Sequence, residues 1–523
     1  MRRSSGFCSR LALLAVTIAL APPTPAHAQI ASLDKGHQIL LNRGLQIGGM
    51  VDQTYRPFHL STLQGGNFTL PLWGFNADVS QLGAAPGVPW GRWIDYTSEN
   101  DIAPAEQPYK SNLVQLQVGD EQDIVNDSSA RAATTAWFNN NRTNFPDTLL
   151  SVNRPAGDGS ASEATSTANW IAEAQPDLLT FDWYPFNYNP TLDANFPNRK
   201  WNWYWYSVAQ RYRRQALGSY VGATFGTAGN APRPYGTYLQ TYSTAPAPDE
   251  DKRPPSDSEM RLQMFAALTM GYSDVNTFTY NSGSSTLFNP PSDGDTSPAP
   301  AYYQFKETAR QARNLSPALT RLISKGAGTR FVAGRNSANT ANNPLPLDWK
   351  AWAAGSEGDP YITSISATNL GSTNGGLRGD VLVGYFNPLL ESYDGPDFSN
   401  ELYFMITNGL SDPGALVADT RQQITLNFDF KTSGITSLLR LSRDTGQVEQ
   451  VPLIFDSTSH YHLDLTLDGG TGDLFKFNDG APFVGFDVPE PSSFGLLAIA
   501  AAFALALNRS RRADLPRLPC SDT

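Results

Sequence analysis

The chain has 523 residues and a formal net charge of −11, and only 17% of its residues are charged whereas 11% are aromatic. The acidic surplus disfavours nucleic acids and anionic membrane surfaces as partners, because both repel negative charge. The two cysteines, Cys8 and Cys520, lie near the chain ends. This position excludes a disulfide framework or a cysteine-based metal site from the body between them.

The first 28 residues have the pattern of a secretory signal peptide. Three arginines and an apolar run at 11–20 precede the small-residue motif Ala-His-Ala at 26–28. This is the order of charged, apolar and cleavage regions in such peptides. We therefore predict that signal peptidase removes residues 1–28 and that the mature chain begins at Gln29.

Residues 40–325 alternate short apolar runs with helical stretches, a pattern typical of parallel α/β architecture. Seven strands are visible, and one more hidden strand would complete a (β/α)8 TIM-like barrel, which fits the pattern better than an open sheet. The predicted helices are Ser129–Asn140, Trp201–Leu217, Ser258–Met270 and Tyr302–Ile323. The predicted strands are Leu45–Val51, Thr69–Phe75, Leu113–Val118, Thr148–Val152, Leu178–Phe181, Thr237–Tyr242 and Val275–Tyr280.

The sequence changes character after the segment Gly326–Asp348, whose Asn, Gly and Pro content predicts a domain boundary. Short strands separated by turns follow, and no helical period intervenes. This pattern predicts an antiparallel β-sandwich accessory domain at 345–480. Its predicted strands are Asp380–Phe386, Glu401–Thr407, Gln423–Phe430, Ile435–Leu441, Val451–Phe455, Tyr461–Leu467 and Asp473–Phe477.

An acidic cluster directly follows one of the predicted barrel strands. Leu113–Val118 runs into Gly119, and Asp120, Glu121 and Asp123 come next. Catalytic groups of such barrels lie at the C-terminal ends of strands. We therefore predict Glu121 as a catalytic residue and Asp120 as a substrate-binding residue. The alternative is a solvated turn or a helix N-cap, for which Asp120 and Asp123 are both suited.

The predicted strand Leu178–Phe181 also ends in a carboxylate, Asp182. Trp183 and Tyr184 follow, so this strand exit offers a charge, a stacking face and a hydroxyl donor. We predict Asp182 as a catalytic residue and Trp183 and Tyr184 as substrate-binding residues. The alternative for Asp182 is a structural role in which its carboxylate holds the loop.

Further substrate-binding candidates lie near the ends of other barrel strands. Gln240 and Tyr242 end one predicted strand, and Tyr280 ends the last one. Trp73 lies close to an early strand exit, where its ring could stack on a ligand. Because strand ends meet at one mouth of a barrel, we expect these side chains to surround a common ligand.

The sequence indicates no metal or cofactor site. His59 is the only barrel histidine after His37, which disfavours a His-rich metal site or a Ser-His-Asp triad. Neither a P-loop nor a dinucleotide-binding fingerprint is present. Glu259 lies three residues after Ser256, and this capping-box spacing accounts for Glu259 without catalysis.

The acidic and aromatic motifs, in this order, resemble the barrel of clan-A-like glycoside hydrolases, a broad group that includes β-galactosidase-type enzymes. The resemblance covers roughly residues 45–325, and such enzymes commonly carry an accessory β-domain. Each motif is short, and their order is more specific than any one of them. The matching positions are Asp120-Glu121, 176–185, 259–263 and 277–280.

The resemblance implies that Glu121 is the general acid/base and that a second carboxylate faces it. The two groups would be about 5–5.5 Å apart in a retaining enzyme and about 6.5–9.5 Å apart in an inverting one. This chain departs from the pattern at Gln122, where Pro commonly follows, and no Glu ends the late strands. We therefore predict Asp182 as the second carboxylate.

Residues 488–512 form a distinct C-terminal segment. A Val-Pro-Glu-Pro-Ser-Ser run precedes the apolar stretch Phe494–Leu507, and arginines follow it. The prolines delay helix entry, and the stretch is a little short of the about 20 residues that cross a bilayer. The arginines suit a cytoplasmic flank.

This order resembles the PEP-CTERM sorting signal of Gram-negative bacteria. The resemblance implies export, transient anchoring in the inner membrane by a transmembrane sorting helix, and recognition by an exosortase-type protease. It also implies delivery to the cell surface or the extracellular matrix. The alternative is an ordinary C-terminal membrane anchor.

The sequence as a whole predicts an exported glycoside hydrolase-like protein that acts on a polysaccharide or oligosaccharide by carboxylate acid/base catalysis. Neither a cofactor nor a nucleic acid partner is expected. The alternative is a non-catalytic glycan-binding or extracellular matrix protein with a degenerate barrel. A cleft that holds Glu121 within about 10 Å of a second carboxylate would favour catalysis, because both hydrolytic mechanisms use two carboxyl groups.

Overall fold

The computed structural model describes most of the chain between residues 34 and 486. The predicted signal peptide at 1–28 and the predicted sorting segment at 488–512 lie outside the described residues. Within those residues, no helix is both long and apolar enough to span a membrane. The described ranges are 34–52, 58–121, 123–157, 160–188, 202–218, 232–244, 252–289, 297–326, 330–332, 345–389, 401–431 and 433–486.

Eight parallel strands close into a barrel, which confirms the predicted barrel fold. Each strand pairs with its neighbour in chain order, and the last strand pairs with the first, so the sheet has no edge. The C-terminal ends of all strands therefore surround one mouth. The strands are β1 (Gln46–Val51), β2 (Leu70–Trp73), β3 (Trp90–Ile94), β4 (Leu113–Asp120), β5 (Leu149–Arg154), β6 (Leu178–Phe181), β7 (Tyr235–Gln240) and β8 (Asp274–Phe278).

The strand hidden from the sequence patterns is β3. Its centre is Gly91-Arg92 rather than an apolar run, so it lacks the usual strand signal. Arg92 is nevertheless buried, and its Nε lies 3.0 Å from Glu106 Oε1 while its Nη2 lies 2.8 Å from Glu99 Oε1. Burial of a guanidinium requires such compensating carboxylates. The carboxylates that stabilise β3 thus lie outside the strand, in the loop that follows it.

Helices surround the barrel and close its lower end. In α1, Ile39 and Leu40 belong to the same buried cluster as Leu70 and Leu72 of the barrel interior. Helix α5 was not predicted, because its many Ala, Ser and Thr residues give only a weak apolar period. The helices are α1 (Lys35–Arg43), α2 (Leu60–Gly65), α3 (Val79–Ala84), α4 (Ser128–Asn141), α5 (Ala161–Ala174), α6 (Asn202–Leu217), α7 (Asp257–Thr269) and α8 (Pro300–Leu319).

The barrel interior also contains a buried polar group, centred on Asp274 at the start of β8. Asp274 Oδ2 accepts hydrogen bonds from Asn276 Nδ2 at 2.9 Å and from Gln115 Nε2 at 3.4 Å. Glycines make room for these side chains. A Cβ at Gly48 would lie 2.0 Å from Asn276 Oδ1, and one at Gly236 would lie 2.5 Å from Asp274 Oδ2.

Two sheets, antiparallel except for the parallel pair β10–β11, follow the barrel and pack as a β-sandwich, as predicted. One sheet has the order β11-β10-β13-β14-β20-β16-β17, with β9 also paired to β13, and the other has the order β12-β15-β19-β18. Their facing apolar side chains form one core. The strands are β9 (Leu322–Ser324), β10 (Arg330–Val332), β11 (Lys350–Ala351), β12 (Ile362–Asn369), β13 (Val381–Pro388), β14 (Tyr403–Asn408), β15 (Gln422–Asp429), β16 (Ser437–Leu441), β17 (Val448–Pro452), β18 (Ile454–Ser457), β19 (His460–Leu467) and β20 (Gly472–Phe477).

Two predicted elements differ from the structure, and strand β12 was not predicted. The predicted helix Tyr302–Ile323 ends at Leu319, because the chain then enters the sandwich sheet as β9. The predicted strand Val451–Phe455 is two strands, β17 and β18, which belong to different sheets. Strand β12 was missed, because its small polar residues lie on a largely exposed strand at the edge of a sheet.

Helix α7 lies between the barrel and the sandwich. All its residues from Ser258 to Thr269 are buried, since it packs on β7 on one side and on β13 and β14 on the other. Thr269 Oγ1 and Thr407 Oγ1 lie 2.7 Å apart across this contact. A helix that is covered on all sides needs no polar stripe. The sandwich therefore packs against the barrel through a shared core helix.

Candidate active site

The exit of β4 is shaped by a β-bulge. Gln117 pairs with Ser151 of β5, and the next pair is Asp120 with Asn153, so three residues of β4 oppose two of β5. Gly119 in the bulge has a φ of +80°, which glycine adopts without steric cost. In a regular strand Gln117 and Asp120 would point to opposite faces. The bulge brings both side chains to the mouth.

Asp120 is held there by two amide groups. Gln117 Nε2 donates to Asp120 Oδ1 at 3.2 Å, and Asn153 Nδ2 donates to the same oxygen at 2.9 Å. Below them, the Tyr238 hydroxyl donates to Gln117 Oε1. The structure thus places an oriented carboxylate at the end of β4.

Glu121 and Asp182, the two predicted catalytic residues, meet at this mouth. A side-chain hydrogen bond joins them, and Asp182 also receives one from Tyr184. Glu121 is exposed and has a φ of +47°, which is uncommon for a residue with a side chain. Its backbone N–H donates to Asn153 O at 2.9 Å, which fixes this turn to β5.

Asp182 retains a proton at neutral pH. Its pKa is raised to about 8, first by burial and then by the negative charges of Glu121 and Asp120, and the Tyr184 hydrogen bond only partly opposes this. One oxygen, Asp182 Oδ1, is buried and has no hydrogen-bond partner among the described residues. A protonated carboxyl beside two further carboxyl groups is the arrangement of a proton donor.

Aromatic rings form the floor and one wall of the mouth. Tyr184 stacks on Phe278, with ring centroids 5.3 Å apart, and it meets Tyr242 edge-on at 5.1 Å. The rings belong to the exits of β6, β7 and β8. Because Tyr184 also hydrogen-bonds to Asp182, this packing fixes the direction from which that carboxyl is approached.

A second aromatic pair lies beside the exit of β6. Trp183 and Tyr204 have ring centroids 4.7 Å apart, and Tyr204 is 38% exposed. Lys252 Nζ lies 5.6 Å from the Trp183 ring and donates to Tyr184 O at 2.6 Å. The loop before α7 is thereby attached to the loop after β6.

A cavity of about 570 Å3 opens at the mouth beside the carboxyl cluster. Its volume is in the range of small-molecule sites. Asp120 and Asp52 give it an acidic side, and the hydroxyls of Thr279, Ser282 and Ser284 give it a hydrogen-bonding side. Lining rings at the mouth include Phe75, Trp93, Tyr242 and Phe278.

Three of the predicted substrate-binding residues are not available at the mouth. Trp73 and Tyr280 are each 1% exposed and pack against Phe58 in the core between barrel and helices. Gln240 is fully buried, and its amide bonds to the backbones of Phe186, Tyr242 and Arg253. These predictions were wrong in placing the side chains on the rim, because strand position alone does not reveal what covers a strand end.

Two other acidic residues singled out in the sequence have structural roles. Asp123 accepts hydrogen bonds from the backbone of Val125 and Asn126, which makes it a turn residue. Glu259 completes the predicted capping box with Ser256. Among the described residues, no group of three or more His, Cys, Asp or Glu side chains could hold a metal ion.

Several residues of the site were missed in the sequence. Asp52 and Asn153 lie at or just after the ends of β1 and β5, so the strand-exit rule that selected Asp120 could have found them. Gln117 is three residues before Asp120, and only the bulge brings them together. Lys252 lies in a proline-rich loop, where no local pattern indicates a role.

Comparison with known proteins supports the sorting segment directly. The family model of the PEP-CTERM protein-sorting motif matches residues 487–512. No curated protein matches the chain.

Similar solved structures include several glycoside hydrolases. One is a GH27 β-L-arabinopyranosidase from Geobacillus stearothermophilus, with 9% identity, a TM-score of 0.37, and coverage of 86% of this chain and 99% of that chain. A glycoside hydrolase family 5 protein from Bacteroides vulgatus has 9% identity, a TM-score of 0.37, and coverage of 83% and 89%. The α-L-fucosidase isoenzyme 1 of Paenibacillus thiaminolyticus has 7% identity, a TM-score of 0.36, and coverage of 85% and 99%.

At this level of similarity the superpositions say nothing about a substrate or a reaction of this chain. The sorting motif indicates an exported protein that transits a membrane and is sorted by an exosortase. The chain therefore has an eight-stranded parallel barrel, and glycoside hydrolases are among the similar solved structures. It carries a PEP-CTERM protein-sorting motif at residues 487–512, C-terminal to the barrel.

Proposed function

We propose that this protein hydrolyses O-glycosidic bonds in a polysaccharide or oligosaccharide, with Asp182 as the general acid. The observation that carries the proposal is the carboxyl cluster at the mouth, in which burial, together with the negative charges of Glu121 and Asp120, raises the pKa of Asp182 to about 8. A carboxyl group that keeps its proton at neutral pH can protonate a leaving oxygen. The adjoining cavity, with its rings and hydroxyls, suits a sugar.

In this mechanism Asp182 transfers its proton to the glycosidic oxygen while the bond from that oxygen to the anomeric carbon breaks. Asp120 is the second carboxylate, because it lines the cavity and two amides orient it. It either attacks the anomeric carbon or takes a proton from the attacking water, and the configuration of the released sugar distinguishes the two routes. Glu121 keeps the proton on Asp182 through its negative charge.

This assignment gives Asp182 the acid role that the sequence suggested for Glu121, and it gives Asp120 the role of second carboxylate that the sequence suggested for Asp182. Glu121 and Asp182 are in direct hydrogen-bond contact, whereas a sugar requires about 5–5.5 Å or more between the two reacting carboxyl groups. That contact is also the observation that favours the second candidate, a glycan-binding protein without hydrolytic activity. In that case the carboxyl cluster would contribute hydrogen bonds to a bound glycan rather than a proton.

The test compares the purified chain with Asp182→Asn on aryl glycosides that carry a good or a poor leaving group. Loss of a general acid should lower kcat/KM by about 10²–10⁴-fold with the poor leaving group and much less with the good one, which departs without protonation. Equal rates for both proteins would contradict the proposal.

Two controls separate the candidates. Asp120→Asn should slow both substrates alike, because the second carboxylate acts whatever the leaving group. Calorimetric titration with oligosaccharides from the native exopolysaccharide measures binding independently of turnover. Binding without turnover by the unsubstituted chain would support the glycan-binding candidate.

We also propose that the protein acts at the cell surface or in the extracellular matrix of a Gram-negative bacterium. The sorting motif at residues 487–512 supports this location. Immunogold labelling of cells with and without their exosortase tests it. Label that stays in the inner membrane only when the exosortase is absent is the expected result, and label that is identical in both strains would contradict it.

A further inference from the structure

Tyr238 lies beneath the carboxyl cluster and has no direct contact with the cavity. It is on β7, is 3% exposed, and packs with Leu70, Leu72 and Val114 in the barrel interior. Burial holds the pKa of its hydroxyl well above the usual value, so the hydroxyl keeps its proton. That proton is directed at Gln117 Oε1.

The hydrogen bond from Tyr238 decides which way the Gln117 amide faces. Oxygen and nitrogen lie on opposite sides of an amide, so an oxygen that accepts from Tyr238 leaves Nε2 on the other side. Gln117 Nε2 there donates to Asp120 Oδ1 at 3.2 Å. A reversed amide would present its oxygen to the Asp120 carboxylate and repel it.

We propose that Tyr238 is a positioning residue, which acts through Gln117 to hold the Asp120 carboxyl group near Asp182, the proposed general acid that follows β6. This inference rests on the proposed function, in which Asp120 is the second carboxylate. The chain of contacts runs from Tyr238 Oη through the Gln117 amide to Asp120 Oδ1, where Asn153 Nδ2 at 2.9 Å supplies the second donor.

A structural role alone would require only the ring of Tyr238. Tyr238→Phe keeps the ring and its packing, and it removes the hydroxyl that orients Gln117. Tyr235→Phe is a matched control on the same strand. Tyr235 is also 3% exposed, and its hydroxyl donates to Met270 O at 2.6 Å, away from the carboxyl cluster.

The readout is the titration of Asp182. The described titratable groups around Asp182 include Glu121 and Asp120 at the end of β4, Tyr184 after β6, Tyr212 on α6 and Tyr238 on β7. Lys252 lies on the loop that contacts Tyr184. Asp120 raises the pKa of Asp182 through its negative charge. If Asp120 is no longer held near Asp182, the pKa of Asp182 should therefore fall.

We expect Tyr238→Phe to lower kcat/KM about tenfold, the rate equivalent of one hydrogen bond lost from a buried network. The basic limb of its pH profile should lie at lower pH than in the unsubstituted chain and in Tyr235→Phe. In a Gln117→Leu background, Tyr238→Phe should add nothing, because the path through the amide is already broken. A pH profile identical to that of Tyr235→Phe would overturn the inference, as would an undiminished effect in the Gln117→Leu background.

Carboxyl 13C NMR of the chain labelled at Asp gives the Asp182 titration without any turnover. If Asp182→Asn keeps full activity, the proposed function fails, yet the NMR shift in Tyr238→Phe still decides the inference. An Asp182 titration unchanged by Tyr238→Phe would reject the positioning role even when Asp182 proves essential.

Discussion

Two aspartates of the barrel, Asp182 at the mouth and Asp274 in the interior, both have a pKa raised to about 8, but for different reasons. Burial is the largest cause of the raised pKa for both aspartates. At the mouth, the charges of Glu121 and Asp120 then add to it. In the interior, the amides of Asn276 and Gln115 partly oppose it.

The same raised pKa can therefore belong to a carboxyl group that we propose to be reactive, Asp182, and to one with a structural role, Asp274. Asp182 lies at a strand exit, and its charged neighbour Asp120 lines the cavity, where a bound substrate would change its surroundings. Asp274 is enclosed by the sheet, and its amide partners cannot change their charge. A raised pKa therefore indicates chemistry only where geometry also gives access.

The largest expected effect separates the two aspartates by activity. Asp182→Asn should lower kcat/KM on a glycoside with a poor leaving group by about 10²–10⁴-fold, because the proton donor is lost. Asp274→Asn should keep near-normal activity, since the interior group is remote from the cavity. Comparable losses in both variants would remove the distinction between mouth and interior.

The next largest expected effect is that of Asp274 on the free energy of unfolding. The unfolded chain releases the Asp274 proton near pH 3.8, but the folded chain keeps it up to about pH 8. The folded state thus binds the extra proton between these values, so the free energy of unfolding falls as pH rises through this window, by about 1.4 kcal/mol per pH unit. Asp182 contributes a similar slope in both proteins, so urea unfolding should show a slope that is about 1.4 kcal/mol per pH unit less steep in Asp274→Asn than in the unsubstituted chain. The same slope in both would mean that Asp274 is ionised in the fold.

A smaller expected effect tests whether the charged neighbour Glu121 raises the pKa of Asp182. Glu121→Gln removes a negative charge that raises the pKa of Asp182, so the basic limb of the pH profile should move from about 8 toward lower pH. Asp147→Asn, at an exposed position before β5, removes one negative charge elsewhere and is the matched control. A limb that stays near pH 8 in Glu121→Gln would show that Glu121 does not hold the proton on Asp182.

The smallest effect tests the bulge that brings Asp120 to the mouth. Gly119→Ala places a side chain at a φ of +80°, which costs about 1–2 kcal/mol for a residue with a Cβ. We expect a lower melting temperature and a loss of activity smaller than that of Asp120→Asn, because the Asp120 carboxyl group is displaced but still present. Gly87→Ala has a similar φ of +88° in open space and gives the matched backbone control. Full activity in Gly119→Ala would show that the bulge does not position Asp120.

Local sequence patterns predicted much of the fold. Leu178–Phe181 is a largely apolar strand, as expected of a buried parallel strand, and Leu113–Val118 was recognised from its apolar residues although Gln115 and Gln117 alternate with them. The same sequence patterns also predicted that Asp120 and Asp182 lie at the C-terminal ends of strands. The strand β3 was hidden because Arg92 is stabilised by Glu99 and Glu106, which become its partners only after folding.

The sequence by itself thus determined the alternation of strands and helices, the acidic strand exits and the sorting segment, because each depends on neighbouring residues. Only the tertiary structure decided that Asp182 meets Glu121, that a bulge turns Asp120 toward Gln117, and that Trp73 is buried. These properties depend on which residues of distant strands come into contact, and contact sets burial, hydrogen bonding and pKa. The same physics that folds the barrel therefore selects which carboxyl group can act as the acid.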